Sequence, residues 1–439
     1  MYTVGLYTLG CKVSQYETEA VAEKFACLGF EVKPFTELCD VYVINTCTVT
    51  AESDRKSRQI IRRAIALNPA AIVCVMGCYS QRSPKEVTAI KGVSLVIGTQ
   101  DKMSLPDRVV ELLSGRTVDK CHVGSLEGVS FEPMHIEHAP RTRAYVKIED
   151  GCECKCTYCA ISGARGPVRS KPRNEVISEV EALHSSGVAE IVLTGIETGS
   201  YGKDFEEDYG LAELILELDR RHSCDRLRLG SLAPELVGKS FAEKVSGAKI
   251  LAPHFHLSMQ SGSDKILRQM KRRYSSATAM ENIDRLREKI PGCEFTTDIM
   301  VGFPGESEKD FEDTLDFMRK AEFIDAHIFA YSEREGTPAA YYEDKVPVEV
   351  RKRRLRYALS VRDELRDRSL ERIVERGEPL VCIAETRENG VYTSHSDCFA
   401  TVLFEEEDGF QGKRVLIHPV SQKDGVIYGK FIKLLVNNN

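Results

Sequence analysis

The sequence predicts an α/β protein with three domains: an N-terminal domain built on a parallel sheet, a central partial (β/α)6 barrel, and a C-terminal small antiparallel β-barrel. Strand-length apolar runs alternate with helical stretches in residues 1–125 and again in residues 138–370, a pattern typical of parallel sheets. Residues 371–439 instead alternate apolar and polar positions between turn signals such as "ENG" and "KDG", which favours short antiparallel strands. The chain length of 439 residues agrees with about three domains.

Composition argues against a membrane protein, a secreted protein and a disulfide-linked protein. Hydrophobic residues make up 42% of the chain, and no run of eighteen apolar residues occurs, so we expect sizeable cores and no membrane span. The first residues, MYTVGLYTLGCK, lack the basic segment and the cleavage site of a secretory signal, which predicts a cytoplasmic protein. In that reducing compartment the 15 cysteines are expected to bind metal or to stay free rather than to form disulfides.

The strand pattern of the N-terminal domain brings three cysteines to equivalent positions. Cys11, Cys47 and Cys78 come just after the first three predicted strands, at residues 3–9, 40–46 and 70–77, and a fourth strand is predicted at residues 93–98. Parallel sheets bind ligands just beyond the carboxyl ends of their strands. We therefore predict that these thiols form one metal site, although three buried free thiols remain the alternative.

The central domain is predicted to contain six βα units. An incomplete barrel of this kind carries its active groups on the loops at the carboxyl ends of the strands. Helices fill the intervals between the strands, as in the segment RNEVISEVEALHSSG, whose apolar positions make one face. The predicted strands are residues 143–150, 189–195, 226–232, 254–260, 294–303 and 325–332.

The loop after the first barrel strand, GCECKCTYCAISGARG, contains four cysteines in eight residues. Cys152, Cys156 and Cys159 have the spacing C-x3-C-x2-C, and Cys154 lies between them. Spacing this tight indicates a metal site, and four thiolates around a structural zinc ion are one possibility. Three thiolates on a four-iron cluster, with one iron left open for a ligand, suit the active rim of a barrel better. In that interpretation Cys154 is not a ligand.

These motifs together resemble the methylthiotransferase family of radical S-adenosylmethionine (SAM) enzymes. The similar segments occur in the same order along nearly the whole chain: TLGCKVSQYETEA, VINTCTVT, GCYSQRSPKEV, the cysteine loop, LTGIETGSYG, SMQSGSDKILRQMKRRY and TTDIMVGFPGESEKDF. The resemblance implies an N-terminal domain with three cluster cysteines, a radical SAM barrel and a C-terminal TRAM domain that binds RNA.

The resemblance also implies the cofactors and the reaction. Two 4Fe-4S clusters and SAM would replace a C–H bond of a modified tRNA adenosine by a methylthio group, with an electron donor such as flavodoxin or ferredoxin. Lys12, followed by Gln15, Tyr16 and Glu17, is most similar to the branch that acts on C2 of N6-threonylcarbamoyladenosine at position 37, in the anticodon stem-loop. Sister enzymes act on N6-isopentenyladenosine-37 or on a ribosomal-protein aspartate. The implied ligands are Cys11, Cys47 and Cys78 for one cluster and Cys152, Cys156 and Cys159 for the other.

Matching the family's motifs assigns further residues to SAM. Glu197 would accept a hydrogen bond from the SAM ammonium, and Gly302 would let the backbone pass close to the adenine. The others would reach the carboxylate or ribose of SAM, although Arg165 could instead bind a tRNA phosphate. A solvated loop glutamate, an ordinary turn and barrel-filling side chains are the structural alternatives. The assigned residues are Glu197, Arg228, Ser258, Gln260, Gly302 and Arg165.

The C-terminal domain is expected to bind RNA despite its charge. Residues 371–439 contain more Asp and Glu than Lys and Arg, whereas affinity for RNA depends on cations that contact phosphates. The basic segment RKRRLR at residues 351–356 could supply those cations, and Tyr392 and Tyr428 could stack on bases or simply pack. A zinc-bearing RNA-binding module without enzymatic activity is the alternative from another class.

Overall fold

In the computed structural model, which describes residues 1–138 and 142–435, the N-terminal domain is a parallel sheet between helices. The strand order is β2-β1-β3-β4-β5-β6, and all its neighbouring pairs are parallel. The strands are β1 (Thr3–Thr8), β2 (Glu31–Lys33), β3 (Val41–Thr46), β4 (Ile72–Gly77), β5 (Val93–Ile97) and β6 (Cys121–His122). The helices are α1 (Lys12–Cys27), α2 (Ala51–Leu67), α3 (Cys78–Arg82), α4 (Pro84–Thr88) and α5 (Leu105–Leu113).

The sheet order determines where this domain can bind a ligand. The chain turns outward from β1 to the edge strand β2 and then returns past β1 to β3, so the direction of winding reverses between β1 and β3. Ligands of such sheets bind at this switch point, beyond the carboxyl ends of the strands. The four predicted strands are present; β2 and β6, with 3 and 2 residues, are too short to produce a periodic signal.

The central domain is an open barrel made of two parallel sheets, β11-β10-β7 and β12-β13-β14-β15, with a short antiparallel pair β8-β9. The third predicted strand is divided into β11 and β12. The strands are β7 (Arg143–Lys147), β8 (Glu149–Asp150), β9 (Arg169–Ser170), β10 (Glu190–Thr194), β11 (Leu227–Leu229), β12 (Ser231–Leu232), β13 (His254–Gln260), β14 (Glu294–Val301) and β15 (Asp325–Ala330). The helices are α6 (Ile161–Arg165), α7 (Arg173–Ser185), α8 (Leu211–Arg221), α9 (Lys239–Val245), α10 (Asp264–Gln269), α11 (Ser276–Lys289) and α12 (Glu308–Ala321).

A long helix, α13 (Val348–Arg376), leads from the barrel to the last domain. It passes the predicted boundary at residue 370 and ends at Gly377, whose φ of 65° lies in the left-handed region that favours glycine at a helix end.

The last domain is a closed five-stranded barrel in the order β16-β17-β18-β20-β19. Its strand pairs are antiparallel as predicted, except for the parallel pair β18-β20. The apolar positions of the alternating segments face inward and form the core of this barrel. The strands are β16 (Leu380–Glu388), β17 (Val391–Ser396), β18 (Thr401–Glu405), β19 (Arg414–Lys423) and β20 (Val426–Leu434).

The small barrel closes the amino-terminal end of the central barrel. Phe399, on the loop after β17, stacks on His254 at the start of β13, with ring centroids 4.4 Å apart. Arg228 of β11 donates to the backbone carbonyl of Ser396 at 3.1 Å, and Arg226 donates to the carbonyl of Val381 at 3.2 Å. The central barrel therefore has a closed floor, and its open mouth lies at the carboxyl ends of the strands.

A search of the helices within residues 1–138 and 142–435 finds none that combines the length and the apolarity needed to cross a membrane.

Candidate active site

The structure brings the three N-terminal cysteines to one place at the switch point. Cys11 precedes α1, Cys47 follows β3, and Cys78 begins α3 directly after β4. The backbone at Gly10 lies so close to Cys47 that an added Cβ would be 3.1 Å from the Cβ of Cys47, which explains the glycine at this position. Burial raises the pKa of Cys78 to about 12, and the nearby thiols of Cys11 and Cys47 contribute to that rise.

The barrel cysteines lie on the loop at the mouth, after β8. Cys156 is nearly buried, with 8% of its surface exposed, and its Sγ accepts a hydrogen bond from Arg272 at 3.5 Å. Burial raises the pKa of Cys159 to about 11. A hydrogen bond between the thiols of Cys152 and Cys154 lowers the pKa of Cys154 to about 6 and raises that of Cys152. This hydrogen bond is compatible with either role for Cys154. That Cys154 does not bind the cluster therefore stays a prediction.

Within residues 1–138 and 142–435, no three His, Cys, Asp or Glu side chains form a group that could hold a single metal ion. The donor set at each of the two sites consists of cysteine thiols, the ordinary ligands of iron–sulfur clusters. The chemistry of the residues present thus fits a cluster at each site.

Glu197 is positioned at the mouth by the loop that follows β10. Its side chain is 7% exposed, its Oε1 accepts from the backbone N–H of Ala233 at 3.1 Å, and its own N–H donates to Glu149. Burial, followed by the charge of Cys154, raises the pKa of Glu197 to about 7. A buried carboxylate with a raised pKa gains from a cationic ligand, so this environment suits the ammonium group predicted for it.

Ser258 and Gln260 also lie at the mouth end of their strand. Gln260 has a φ of 66°, and the pairing of β13 with β14 shifts register between Leu257 and Gln260, which changes the direction of the strand end. Arg272 reaches from the following segment to the carbonyl of Ser258 at 2.8 Å. Arg272 therefore connects Ser258 with Cys156. Its segment, KRRY, ends one of the motifs that carry the resemblance, and no signal in the sequence singles out Arg272.

Contacts within the protein account for the residue types at Arg228 and Gly302. The guanidinium of Arg228 lies at the floor of the barrel, 3.0 Å from the carboxylate of Glu190. At Gly302, where φ is 74°, an added Cβ would be 2.2 Å from the side chain of Arg351, and its N–H donates to Glu306 at 2.9 Å. These placements do not favour the predicted SAM contacts of the two residues, which stay predictions.

Arg165 is fully buried between the two cysteine sites. Its Nε donates to Cys78 Sγ at 3.1 Å, and its Nη atoms are 3.2 Å from carboxylate oxygens of Glu17 and Asp150. Because these groups occupy the guanidinium, the placement does not support the expected contact with the SAM carboxylate or a tRNA phosphate. Arg165 instead links helix α6, which follows the barrel cysteine loop, to the N-terminal cysteine site.

A buried ionic network surrounds Arg165 and joins the two domains. Glu17 of α1 accepts from Lys147 of β7 at 2.9 Å and lies 3.2 Å from Lys102. Lys147 also pairs with Asp150 at 2.6 Å. In the sequence, Glu17 contributes only to the family resemblance, and no pattern indicates its place in this network. The network holds the start of α1, and with it Cys11, in a fixed place above the mouth.

The fold and the paired cysteine sites define a radical SAM enzyme, a class that uses SAM and a 4Fe-4S cluster. The radical SAM superfamily matches residues 146–318, and residues 3–98 match a family described as uncharacterized protein family UPF0004. Among solved structures, the radical SAM methyltransferase TsrM of Kitasatospora setae has a TM-score of 0.57 and 16% identity, with 77% of each chain covered. That similarity shows the fold alone.

Curated relatives are similar over almost the whole chain. The threonylcarbamoyladenosine tRNA methylthiotransferase MtaB of Bacillus subtilis (strain 168) is 38% identical, and the match covers 99% of this chain and 97% of the relative. The tRNA-2-methylthio-N(6)-dimethylallyladenosine synthase of Acetivibrio thermocellus is 31% identical, with 98% and 90% covered. The chain belongs to the MtaB-type methylthiotransferase family, which confirms the resemblance predicted from the motifs.

The assignment of Cys154 can be tested against its neighbour. We expect Cys154→Ala to retain the full iron content and SAM cleavage, because Cys152, Cys156 and Cys159 complete the set without it. Cys156→Ala should lose about half of the iron, the share of one of two four-iron clusters, together with all SAM cleavage. Iron analysis and 5′-deoxyadenosine measurement check both variants. Equal losses in the two would show that Cys154 is a ligand.

Proposed function

We propose that this protein methylthiolates C2 of N6-threonylcarbamoyladenosine at position 37 of tRNA. It would use two molecules of SAM for each product and a 4Fe-4S cluster in each cysteine site. The observation that carries the proposal is the presence of two three-cysteine sites. One lies at the carboxyl ends of the strands of the N-terminal sheet and the other at the mouth of the central barrel, and Arg165 is buried near both. The names of the relatives support the nucleoside.

Two sites suit this chemistry because its two parts need separate centres. When bound, the barrel cluster and SAM supply a carbon-centred radical, which can break a C–H bond that is not acidic. Cys152, Cys156 and Cys159 would hold that cluster at the mouth. Glu197 would orient SAM by accepting from its ammonium group, and Arg272 would hold the cysteine loop beside Ser258.

The residues of the N-terminal site would serve the attachment of sulfur. Cys11, Cys47 and Cys78 would hold the second cluster at the switch point, next to the mouth. Gly10 lets the backbone before α1 approach Cys47 closely, and the network around Glu17 fixes α1 against the barrel domain. The adenosine would then enter between the two sites, where the activated carbon and the sulfur source meet.

The test is mass spectrometry of tRNA nucleosides. A strain that lacks the gene should accumulate N6-threonylcarbamoyladenosine and lose its 2-methylthio form, and the purified, reduced holoenzyme should restore the modification. Accumulation of isopentenyladenosine, or of an unmodified ribosomal-protein aspartate, would point to a sister activity. Zinc without acid-labile sulfide in the purified protein would favour the non-catalytic RNA-binding module. A flavodoxin or ferredoxin as the electron donor, and a cytoplasmic location, remain predictions.

Two of the residues expected to contact RNA, Tyr392 and Arg354, are buried. Tyr392 is fully buried and packs on Phe404 with ring centroids 5.1 Å apart, so it does not present a face for stacking. Tyr428 is 41% exposed and keeps that possibility. Of the expected basic residues, Arg354 is 4% exposed and pairs with Glu306. The basic stripe exposed on α13 consists of Lys352, Arg353 and Arg356.

Neutralising that exposed stripe should weaken tRNA binding without unfolding the enzyme. We expect the variant with Gln at residues 352, 353 and 356 to bind tRNA less tightly. If each side chain contacts one phosphate, the slope of log affinity against log salt falls by about two to three. Filter binding over a salt series measures this. Gln in place of Lys309, an exposed cation of α12, is the control, and an unchanged slope in the triple variant would place the RNA surface elsewhere.

A further inference from the structure

Lys12 lies on the face of α1 that is turned toward the central domain. It follows Cys11 and lies one helical turn before Tyr16, so the two side chains share a face of the helix. The hydroxyl of Tyr16 donates to Glu179 of the barrel at 2.8 Å, so this face points at the barrel domain. Because side chains lean toward the amino-terminal end of their helix, Lys12 extends past the start of α1, over the open mouth.

The charges that act on Lys12 belong to strands of the barrel. Burial, followed by the charges of Arg228 and Arg143 on β11 and β7, lowers the pKa of Lys12. Opposite charges come from Glu190 of β10 and Asp298 of β14. More than a third of the residue is still accessible to water. Lys12 is thus an accessible cation that extends from the mouth toward the charged groups at the floor of the barrel.

The carboxylates around Lys12 are already used by other groups. Glu190 binds three guanidinium groups, those of Arg143, Arg226 and Arg228. Arg143 also pairs with Glu385 at 2.8 Å, so these guanidinium groups have their own carboxylate partners. Three cations that share one anion leave it little capacity for a fourth.

The second carboxylate is engaged in the same way. Asp298 accepts from His256 and His327, each at 3.2 Å. No ion pair of Lys12 occurs among residues 1–138 and 142–435. Ligand binding would remove Lys12 from water. A cation that loses its contact with water is stabilised most by an anionic partner.

We propose that Lys12 binds the carboxylate of the threonyl group on the substrate adenosine and so selects this nucleoside over the isopentenyl one. The inference rests on the proposed function and adds the residue that reads the substrate. The N6 substituent of threonylcarbamoyladenosine ends in a free carboxylate, whereas an isopentenyl group is a hydrocarbon without charge. A water-accessible lysine without an ion pair favours the first nucleoside, and burial of the second would leave Lys12 without a partner.

The test compares an acidic and a neutral substrate on the holoenzyme. The probes are two anticodon stem-loops, one with threonylcarbamoyladenosine and one in which the carboxylate is an amide. The wild type should bind the acid more tightly than the amide. Lys12→Met should lose about tenfold to 100-fold in affinity for the acid, the range for a hydrogen bond to a charged group, and bind the amide with little change. Lys12→Arg should keep most of the preference, and Lys309→Met, on an exposed helix, should keep all of it.

The remaining outcomes distinguish failure of the inference about Lys12 from failure of the proposed function. If Lys12→Met keeps the wild-type preference for the acid while the wild type modifies threonylcarbamoyladenosine, the inference fails and the proposed function stands. If the wild type does not modify that nucleoside, both fail. SAM also has a carboxylate, so the KM for SAM is measured in cleavage without tRNA. An unchanged KM in Lys12→Met supports the nucleoside as the partner, and a raised KM would assign Lys12 to SAM and overturn the proposal.

Discussion

Cys47→Ala should abolish the methylthio product while the protein still cleaves SAM to 5′-deoxyadenosine. The variant lacks one of the three thiols at the switch point, whereas Cys152, Cys156 and Cys159 lie on another loop, at the mouth of the barrel. The radical would therefore still form, but it would find no source of sulfur. The reconstituted iron should fall by about half, because each four-iron cluster holds half of the total. The decisive measurement determines 5′-deoxyadenosine and tRNA nucleosides in one reaction.

Cys121→Ala is the matched control for Cys47→Ala. Cys121 belongs to the same sheet, in the edge strand β6, and its thiol is exposed and away from the three-cysteine site. This control should keep both the iron content and the product. Methylthiolated nucleoside from Cys47→Ala would contradict the division of work between two sites, whatever the iron content.

Local patterns were sufficient to predict the longer strands and the positions of the cysteines after them. Alternating strands and helices identify a parallel sheet, and position directly after a strand identifies its carboxyl end. Cys11, Cys47 and Cys78 could be assigned to one edge for that reason, without knowledge of the strand order. Reversal of the winding between β1 and β3 brings Cys11 and Cys47 to the switch point, and only the structure shows that order.

Contacts between distant parts of the chain could not be predicted in this way. Arg165 and Glu17 are 148 residues apart in sequence, and neither position has a local pattern that names the other. From sequence alone, a basic residue near a predicted active loop is therefore expected to bind phosphate or carboxylate. The same limit applies to Arg228, whose carbonyl partner at Ser396 belongs to another domain, and to Tyr392, whose burial depends on the closure of the last barrel.

The contact between the barrels determines what truncation of the last domain would do. Removal of residues from Gly377 onward would leave the site cysteines in place, because they all lie upstream. It would also expose the floor of the central barrel, where His254 stacks on Phe399 and Arg228 donates to Ser396. Loss of tRNA binding after truncation would therefore not identify an RNA surface, and the exposed stripe of α13 offers a cleaner test.

Glu17→Gln should uncouple SAM cleavage from product formation and destabilise the contact between the first two domains. Glu17 is fully buried, and its carboxylate faces Arg165, Lys102 and Lys147. Removal of one partner from a buried ion pair costs about 3–5 kcal/mol, because charged groups are left without compensation. Glutamine keeps the size of the side chain, so the loss reports the charge. Hydrogen exchange of α1 should speed up, and 5′-deoxyadenosine should exceed the methylthio product.

The pH dependence of this effect has a definite sign. Burial acts to raise the pKa of Glu17, but Arg165, Lys102 and Lys147 outweigh it and hold the pKa well below its usual value. A carboxylate with a lowered folded pKa contributes stability above its unfolded pKa of about 4.3, and this contribution is lost as pH falls through the folded value. Wild type and Glu17→Gln should therefore differ most near neutral pH and converge in acid. Glu52→Gln, at an exposed pair with Arg55 on α2, should match the wild type throughout, whereas a difference between wild type and Glu17→Gln that is constant with pH would mean that packing, and not charge, holds the two domains together.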